Sequence, residues 1–120
     1  MTMSSDRDVV DRYFTAMVNK DFATMRTLLH DDVSFKGALG TTAGAEDYIE
    51  GIKQITANTT ALNRRVLFAE GENVCQIYDM VVATPAVTVP IAQWLTVREG
   101  RIATLQVFFD PRPMIPPSAS

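Results

Sequence analysis

Every helical pattern in this chain lies in its first half, and all but one of the strand patterns follow it. From Arg64 onward the residues read as four strands: Arg64 to Glu70, Val74 to Ala83, Val87 to Arg98 and Arg101 to Phe109. Their connections, Gly71-Glu72-Asn73, Thr84-Pro85-Ala86 and Glu99-Gly100, are short, so successive strands must run antiparallel. This segregation predicts an α+β domain with helices on one face of a mostly antiparallel sheet. Pro90 falls inside the third of these strands, where a bulge or early bend is expected.

The first half supplies the helices. Ser5 caps a helix with Asp6 and Asp8 in its opening turn and Val10, Tyr13, Phe14 and Met17 along one side. It should stop near Asn19-Lys20-Asp21. Phe22, Met25, Leu28 and Leu29 mark a shorter helix, Val33-Ser34-Phe35-Lys36 a short strand, and Gly37 to Gly44 a loop. A third helix starts around Gly44, with Glu46 and Asp47 in its first turn and Ala45, Tyr48, Ile52 and Ile55 on its inner side. Gly51 lies near that side, which suggests close packing against the sheet. Pro111, Pro113, Pro116 and Pro117 exclude regular structure, so residues 1–110 form one domain and 111–120 a tail ending in a mobile Ser118-Ala119-Ser120.

Several functions are disfavoured. Fourteen acidic against eleven basic residues give a net charge of -3, and no basic stripe alternates with aromatics, which argues against nucleic acid. No apolar run has the length of a membrane span or the place of a signal peptide, so no membrane partner and a cytoplasmic location are expected. Cys75 has no partner for an internal disulfide and reads as a small hydrophobe. His30 reads as a surface residue at a helix end, and one histidine makes a nitrogen- and sulfur-bound metal improbable. Neither a phosphate loop nor a dinucleotide fingerprint occurs, and no cofactor is implied.

Asp79 stands out in the apolar stretch from Cys75 to Val82. A carboxylate buried there is costly unless it is paired, hydrogen-bonded or neutralised. In one reading it is a general acid or base facing a pocket; in the other it is satisfied by backbone amides or by Arg64 or Arg65 of the neighbouring strand. Alternation puts Ile77, Asp79 and Val81 on one face. Tyr13 is the second polar candidate, as a pocket phenol or as a core residue with a tethered hydroxyl.

Arg12-Tyr13-Phe14, Asp21-Phe22, Leu28-Leu29-His30-Asp31-Asp32-Val33, the loop Gly40 to Gly44, Arg98-Glu99-Gly100-Arg101-Ile102 and Phe108-Phe109-Asp110 together resemble the nuclear transport factor 2-like superfamily. The resemblance runs nearly to Asp110 and is closest to the SnoaL-like branch, with polyketide cyclases, steroid isomerases and limonene-type epoxide hydrolases as relatives. It implies a cystatin-like α+β barrel: a cone-shaped, strongly curved sheet with three helices on its concave side. The family catalytic sets are incomplete here. Tyr13 matches the oxyanion-binding tyrosine of the isomerases, but Gly37 and Ala92 stand at their two acids. Asp79 matches one aspartate of the epoxide hydrolases, while Ile77, Phe35, Gly37 and Val107 stand at the remaining positions.

The resemblance directs Phe35, Ala92, Trp94, Leu105, Val107 and Phe109 toward the cavity, and Met17, Tyr48, Ile52, Ile77 and Val81 complete the expected apolar lining. Tyr78, Met80, Ile91, Gln93, Leu95, Val97 and Phe108 are then expected on the outer face, to be covered by a second copy in a homodimer. Two functions follow. One is a cofactor-free isomerase, cyclase or hydrolase for a small apolar substrate, such as a cyclic or polyketide-like molecule, with Asp79 as acid–base and Tyr13 orienting an oxygen. The other is a non-catalytic ligand-binding or dimerisation domain.

Overall fold

The computed structural model describes residues 6–38 and 40–114. The expected Ser5 cap and the Ser118-Ala119-Ser120 end lie outside the described residues, as do Pro116 and Pro117. Two helices come first, α1 (Asp6–Val18) and α2 (Phe22–Thr27), followed by strands β1 (Leu29–Gly37) and β2 (Gly40–Ala43) and helix α3 (Ala45–Ala57). Four strands follow: β3 (Thr59–Glu70), β4 (Asn73–Val82), β5 (Val87–Arg98) and β6 (Arg101–Phe108), and a 3-10 turn at Arg112–Met114.

One six-stranded sheet has the order β2-β1-β6-β5-β4-β3, antiparallel throughout except where β1 runs parallel to β6. The α+β architecture with segregated helices is therefore as expected. Four local expectations fail. The small and polar residues of the expected loop include β2, whose ladder pairs Ser34 with Ala43 and Gly37 with Gly40. β1 starts at Leu29, not Val33, because Leu29 pairs with Ile102 before a register shift. At Pro90 there is no bulge. It sits opposite Asp79 in an unbroken β4–β5 register, and β5 meets β6 only from Ala92, so the proline has a strand on one side alone. Nor does Gly51 mark a close approach, since a Cβ there would meet open space.

Local chemistry explains the turns. Glu99 and Gly100 both have positive φ, 54° and 75°, the twist that joins β5 to β6 through two residues. Helix α1 ends with Asp21 N–H donating to Ala16 O and Lys20 N–H to Met17 O, a Schellman arrangement. Lys20 holds the left-handed position at φ 55°, where glycine is usual. Arg26 ties three elements together. Its guanidinium donates to Glu46 of α3 and Asp31 of β1, each at 2.7 Å.

The register sorts side chains into two faces. Under the helices lie Val74, Gln76, Tyr78, Met80 and Val82 of β4 and Val89, Ile91, Gln93, Leu95 and Val97 of β5, all buried. The other face carries two cross-strand rows, Val66–Ile77–Ala92–Phe108 and Phe68–Cys75–Trp94–Gln106. The sequence expectation for β4 and β5 was thus inverted by one residue, which exchanges the whole set between faces. Both alternating sets in β4 are mainly apolar, so alternation alone left the choice open. Cys75 is correspondingly exposed rather than buried.

The core is continuous from α1 to β6, and Leu95 at its centre is fully buried. Replacing Leu95 with alanine should cost about 2–5 kcal/mol of unfolding free energy, measured by urea titration, because the packed surroundings collapse only partly. Trp94→Ala, next along the strand but 43 % exposed, should cost distinctly less.

Candidate functional site

A cavity of about 60 Å³ lies between the helices and the inner sheet face. From α1 it receives Met17, and from α3 Tyr48, Ile52, Ile55 and Thr56. The sheet contributes Phe35 of β1, Leu62 of β3, Tyr78 and Met80 of β4, and Ile91 and Gln93 of β5. Val107 and Phe109 close it from the chain's end. Helical spacing aligns Tyr48, Ile52, Ile55 and Thr56, while strand alternation selects Tyr78 with Met80 and Ile91 with Gln93. The lining is almost wholly apolar. Its polar chemistry comes from Tyr48, Tyr78, Gln93 and Thr56, and the Thr56 hydroxyl is spent on Ile52 O at 2.8 Å.

Behind the wall lie buried hydrogen bonds. Gln76 and Gln93 face each other across β4 and β5, and Gln76 Nε2 donates to Gln93 Oε1 at 2.7 Å. The Gln93 side chain also neighbours the Tyr13 hydroxyl, and the Tyr13 and Tyr48 hydroxyls share a hydrogen bond. With its oxygen engaged, Gln93 can use only its N–H₂ toward Tyr13. Either phenol can be the donor in this pair; in the arrangement where Tyr13 donates, Tyr48 keeps its own O–H for a ligand.

Burial pushes the Tyr13, Tyr48 and Tyr78 hydroxyls well above the usual phenol range. These groups stay protonated at neutral pH, so they serve as hydrogen-bond donors and not as bases. Gln76 Oε1 is buried without a hydrogen-bond partner among the described residues.

Of the residues expected from sequence, Met17, Phe35, Tyr48, Ile52, Val107 and Phe109 meet around this cavity. Tyr13 stands one layer back and reaches it through Tyr48. Leu105 faces the same side but is buried in the core beneath. Ile77, Asp79, Val81, Ala92 and Trp94 do not reach the cavity; they share the outer face with Phe108. The Asp79 carboxylate lies 3.4 Å from the Arg65 guanidinium, with 27 % of its side chain exposed. That is the pairing weighed above as the non-functional explanation of this acid. Trp94 donates its indole N–H to Asn73 at 3.0 Å.

The sequence reading missed Tyr78, Met80, Ile91 and Gln93 because it assigned them to the outer face. Leu62 and Thr56 were missed as well, since β3 starts five residues before the expected Arg64 and α3 runs on to meet it. The signal available in the sequence was Asp79 itself. A charged group marks the wetter of two apolar faces, and the neutral Gln76 and Gln93 mark the drier one. Among the described residues no group of three or more histidines, cysteines or acids is placed to hold a metal ion, and no helix is long and apolar enough to cross a membrane.

The SnoaL-like domain family matches residues 10–105. Among solved structures, a protein of unknown function from Cytophaga hutchinsonii, described as NTF2-like, is 27% identical with a TM-score of 0.81, over 94% of this chain and 96% of its own. A protein from Catenulispora acidiphila, described as having a ketosteroid isomerase-like fold and solved with trimethylamine, is 20% identical with a TM-score of 0.73, covering 86% and 85%. A protein from Shewanella putrefaciens, proposed to be a SnoaL-like polyketide cyclase, is 15% identical with a TM-score of 0.78, covering 93% and 84%. No curated protein is a significant match. With most of its length matched and the same fold in each of these structures, the chain belongs to the SnoaL-like family of the NTF2-like superfamily.

Proposed function

We propose that the protein binds a small, mainly apolar molecule that presents one uncharged oxygen acceptor to the Tyr48 hydroxyl. The observation that carries this reading is the phenol pair, Tyr13 and Tyr48, set against an otherwise apolar cavity and braced by Gln93. An apolar pocket with one oriented donor selects a ketone, ester or ether over a hydrocarbon, because the donor would otherwise be left unsatisfied. A carboxylate is a poor occupant of the inner cavity, which holds no cation to pay for its desolvation.

The family relatives with cyclase or isomerase names suggest a catalytic version of the same site, in which the phenol pair polarises a carbonyl. Such a step also needs a base to take the proton. Among the described residues the cavity lining holds no carboxylate, imidazole or thiol, and Asp79 is on the far side of the sheet beside Arg65. Binding is therefore the better-supported function, with Asp79 as a structural acid.

We also propose that a second copy of the chain covers the outer sheet face. Phe68, Trp94 and Phe108 are exposed there over 62, 43 and 50 % of their surface, in adjacent cross-strand rows. Exposed aromatics in adjacent rows of this kind support a twofold contact between identical faces.

A thermal-shift series of methyl ketones from 2-hexanone to 2-decanone tests the first proposal, since a ligand of the native state raises the melting point. Tyr48→Phe should weaken ketone binding by about three- to tenfold, the worth of one neutral hydrogen bond. Asp79→Asn should leave it unchanged. Equal binding to wild type and Tyr48→Phe, or no ketone binding at all, would reject the assignment.

For the second proposal, Phe68→Glu combined with Trp94→Glu should convert a dimer to a monomer in sedimentation equilibrium. A wild-type chain that sediments as a monomer rules out the interface.

A further inference from the structure

The inner cavity, at about 60 Å³, is smaller than an ordinary ligand site. It does not stand alone. A second hollow of about 580 Å³ adjoins it and shares Met17, Thr56 and Leu62 with it. Together the two reach the volume of an ordinary ligand site, roughly 300–1,000 Å³. The outer hollow is walled by Val18 and Lys20 at the end of α1, Ala57 at the end of α3, and the edge of β3 from Thr59 to Asn63. Its character differs from that of the inner cavity, with polar and apolar groups mixed around a single ionisable side chain, the Lys20 ammonium.

Lys20 has no ion-pair partner among the described residues. The neighbouring acid is already engaged, because Asp21 accepts from Thr24 N–H and from the Thr24 hydroxyl at 2.7 Å. The helix ends that point here are occupied too. Ala16 and Met17 carbonyls accept from Asp21 and Lys20 N–H, and Ile55 O accepts from Asn58 N–H and the Thr59 hydroxyl. The C-terminal ends of α1 and α3 still carry partial negative charge here, so an anion in this hollow depends on the Lys20 ammonium to outweigh them. Its backbone also takes the left-handed conformation at the capping position, where glycine would be strain-free. Strain held at one residue is a reason to look for function there.

From these observations we infer that the outer hollow is an anion subsite, and that the natural ligand is an oxo acid. Its oxygen lies in the inner cavity at Tyr48, its chain passes between Met17, Thr56 and Leu62, and its carboxylate meets Lys20. Lys20 lies seven residues beyond Tyr13, along the last turn of α1 and its cap, a separation of about 10 Å at the helical rise, so a chain of about eight carbons spans the two sites. This inference rests on the ketone-binding function proposed above and adds the charged end of the ligand.

The test compares 2-octanone with 7-oxooctanoate by ¹H–¹³C methyl spectra of Met17 and Leu62 in the intact protein. 7-Oxooctanoate should bind about three- to fivefold tighter, the range of an exposed ion pair, and the excess should vanish in 1 M salt. Lys20→Gly removes the charge and relieves the left-handed backbone, so its melting point should not fall. It should bind both compounds with the affinity that wild type shows for 2-octanone. Equal affinities in wild type, or a preference for 7-oxooctanoate that survives Lys20→Gly, would overturn the anion subsite while leaving ketone binding intact. If 2-octanone itself fails to bind, the inner site is wrong and this inference falls with it.

Discussion

The facing pair Gln76 and Gln93 constrains everything built on the inner side of this sheet. Two buried primary amides must find partners, and one hydrogen bond, from Gln76 Nε2 to Gln93 Oε1, joins them across the strand pair. Their register decides which alternate residues of β4 and β5 lie beneath the helices. Sliding the faces by one residue would put Ile77 and Asp79 there in place of Gln76 and Tyr78. An ionised carboxylate in that setting costs several kcal/mol more than a hydrogen-bonded amide. The neutral polar set goes inward for that reason, and the acid goes outward to Arg65.

From the same pair follows the chemistry of the cavity. Gln93 of the sheet neighbours Tyr13 on α1, and the Tyr13 hydroxyl shares a hydrogen bond with Tyr48 on α3. Three elements distant in sequence thus converge on one phenol pair. Burial keeps the phenols protonated, so the site is equipped to hold an oxygen and has no lining group to take a proton from carbon. A SnoaL-like fold can host catalysis or binding, and the difference lies in a few side chains on the inner face rather than in the architecture.

Much of the frame was legible beforehand. Helical spacing located α1 and α3 and named Met17, Tyr48 and Ile52 as inward residues, because helices in a small domain bury only one stripe. Phe35, Val107 and Phe109 were legible from the family pattern. β2 was hidden, since Gly40–Ala43 has no hydrophobic alternation and exists only by pairing with β1. Leu62 was hidden for a similar reason, as the first turn of β3 is a strand through its partner β4 and not through its own composition.

Local chemistry therefore settles the helices, the hairpin at Glu99-Gly100 and the segregation of helix from strand, because each depends on neighbours a few residues apart. The facing of β4 and β5 belongs to the assembled protein. Both sides of those strands are apolar enough to be buried, and only docking against α1 and α3 makes one side dry. Whether an aspartate is a catalyst or half of a surface ion pair is decided at that step, by the cost of leaving its charge without water.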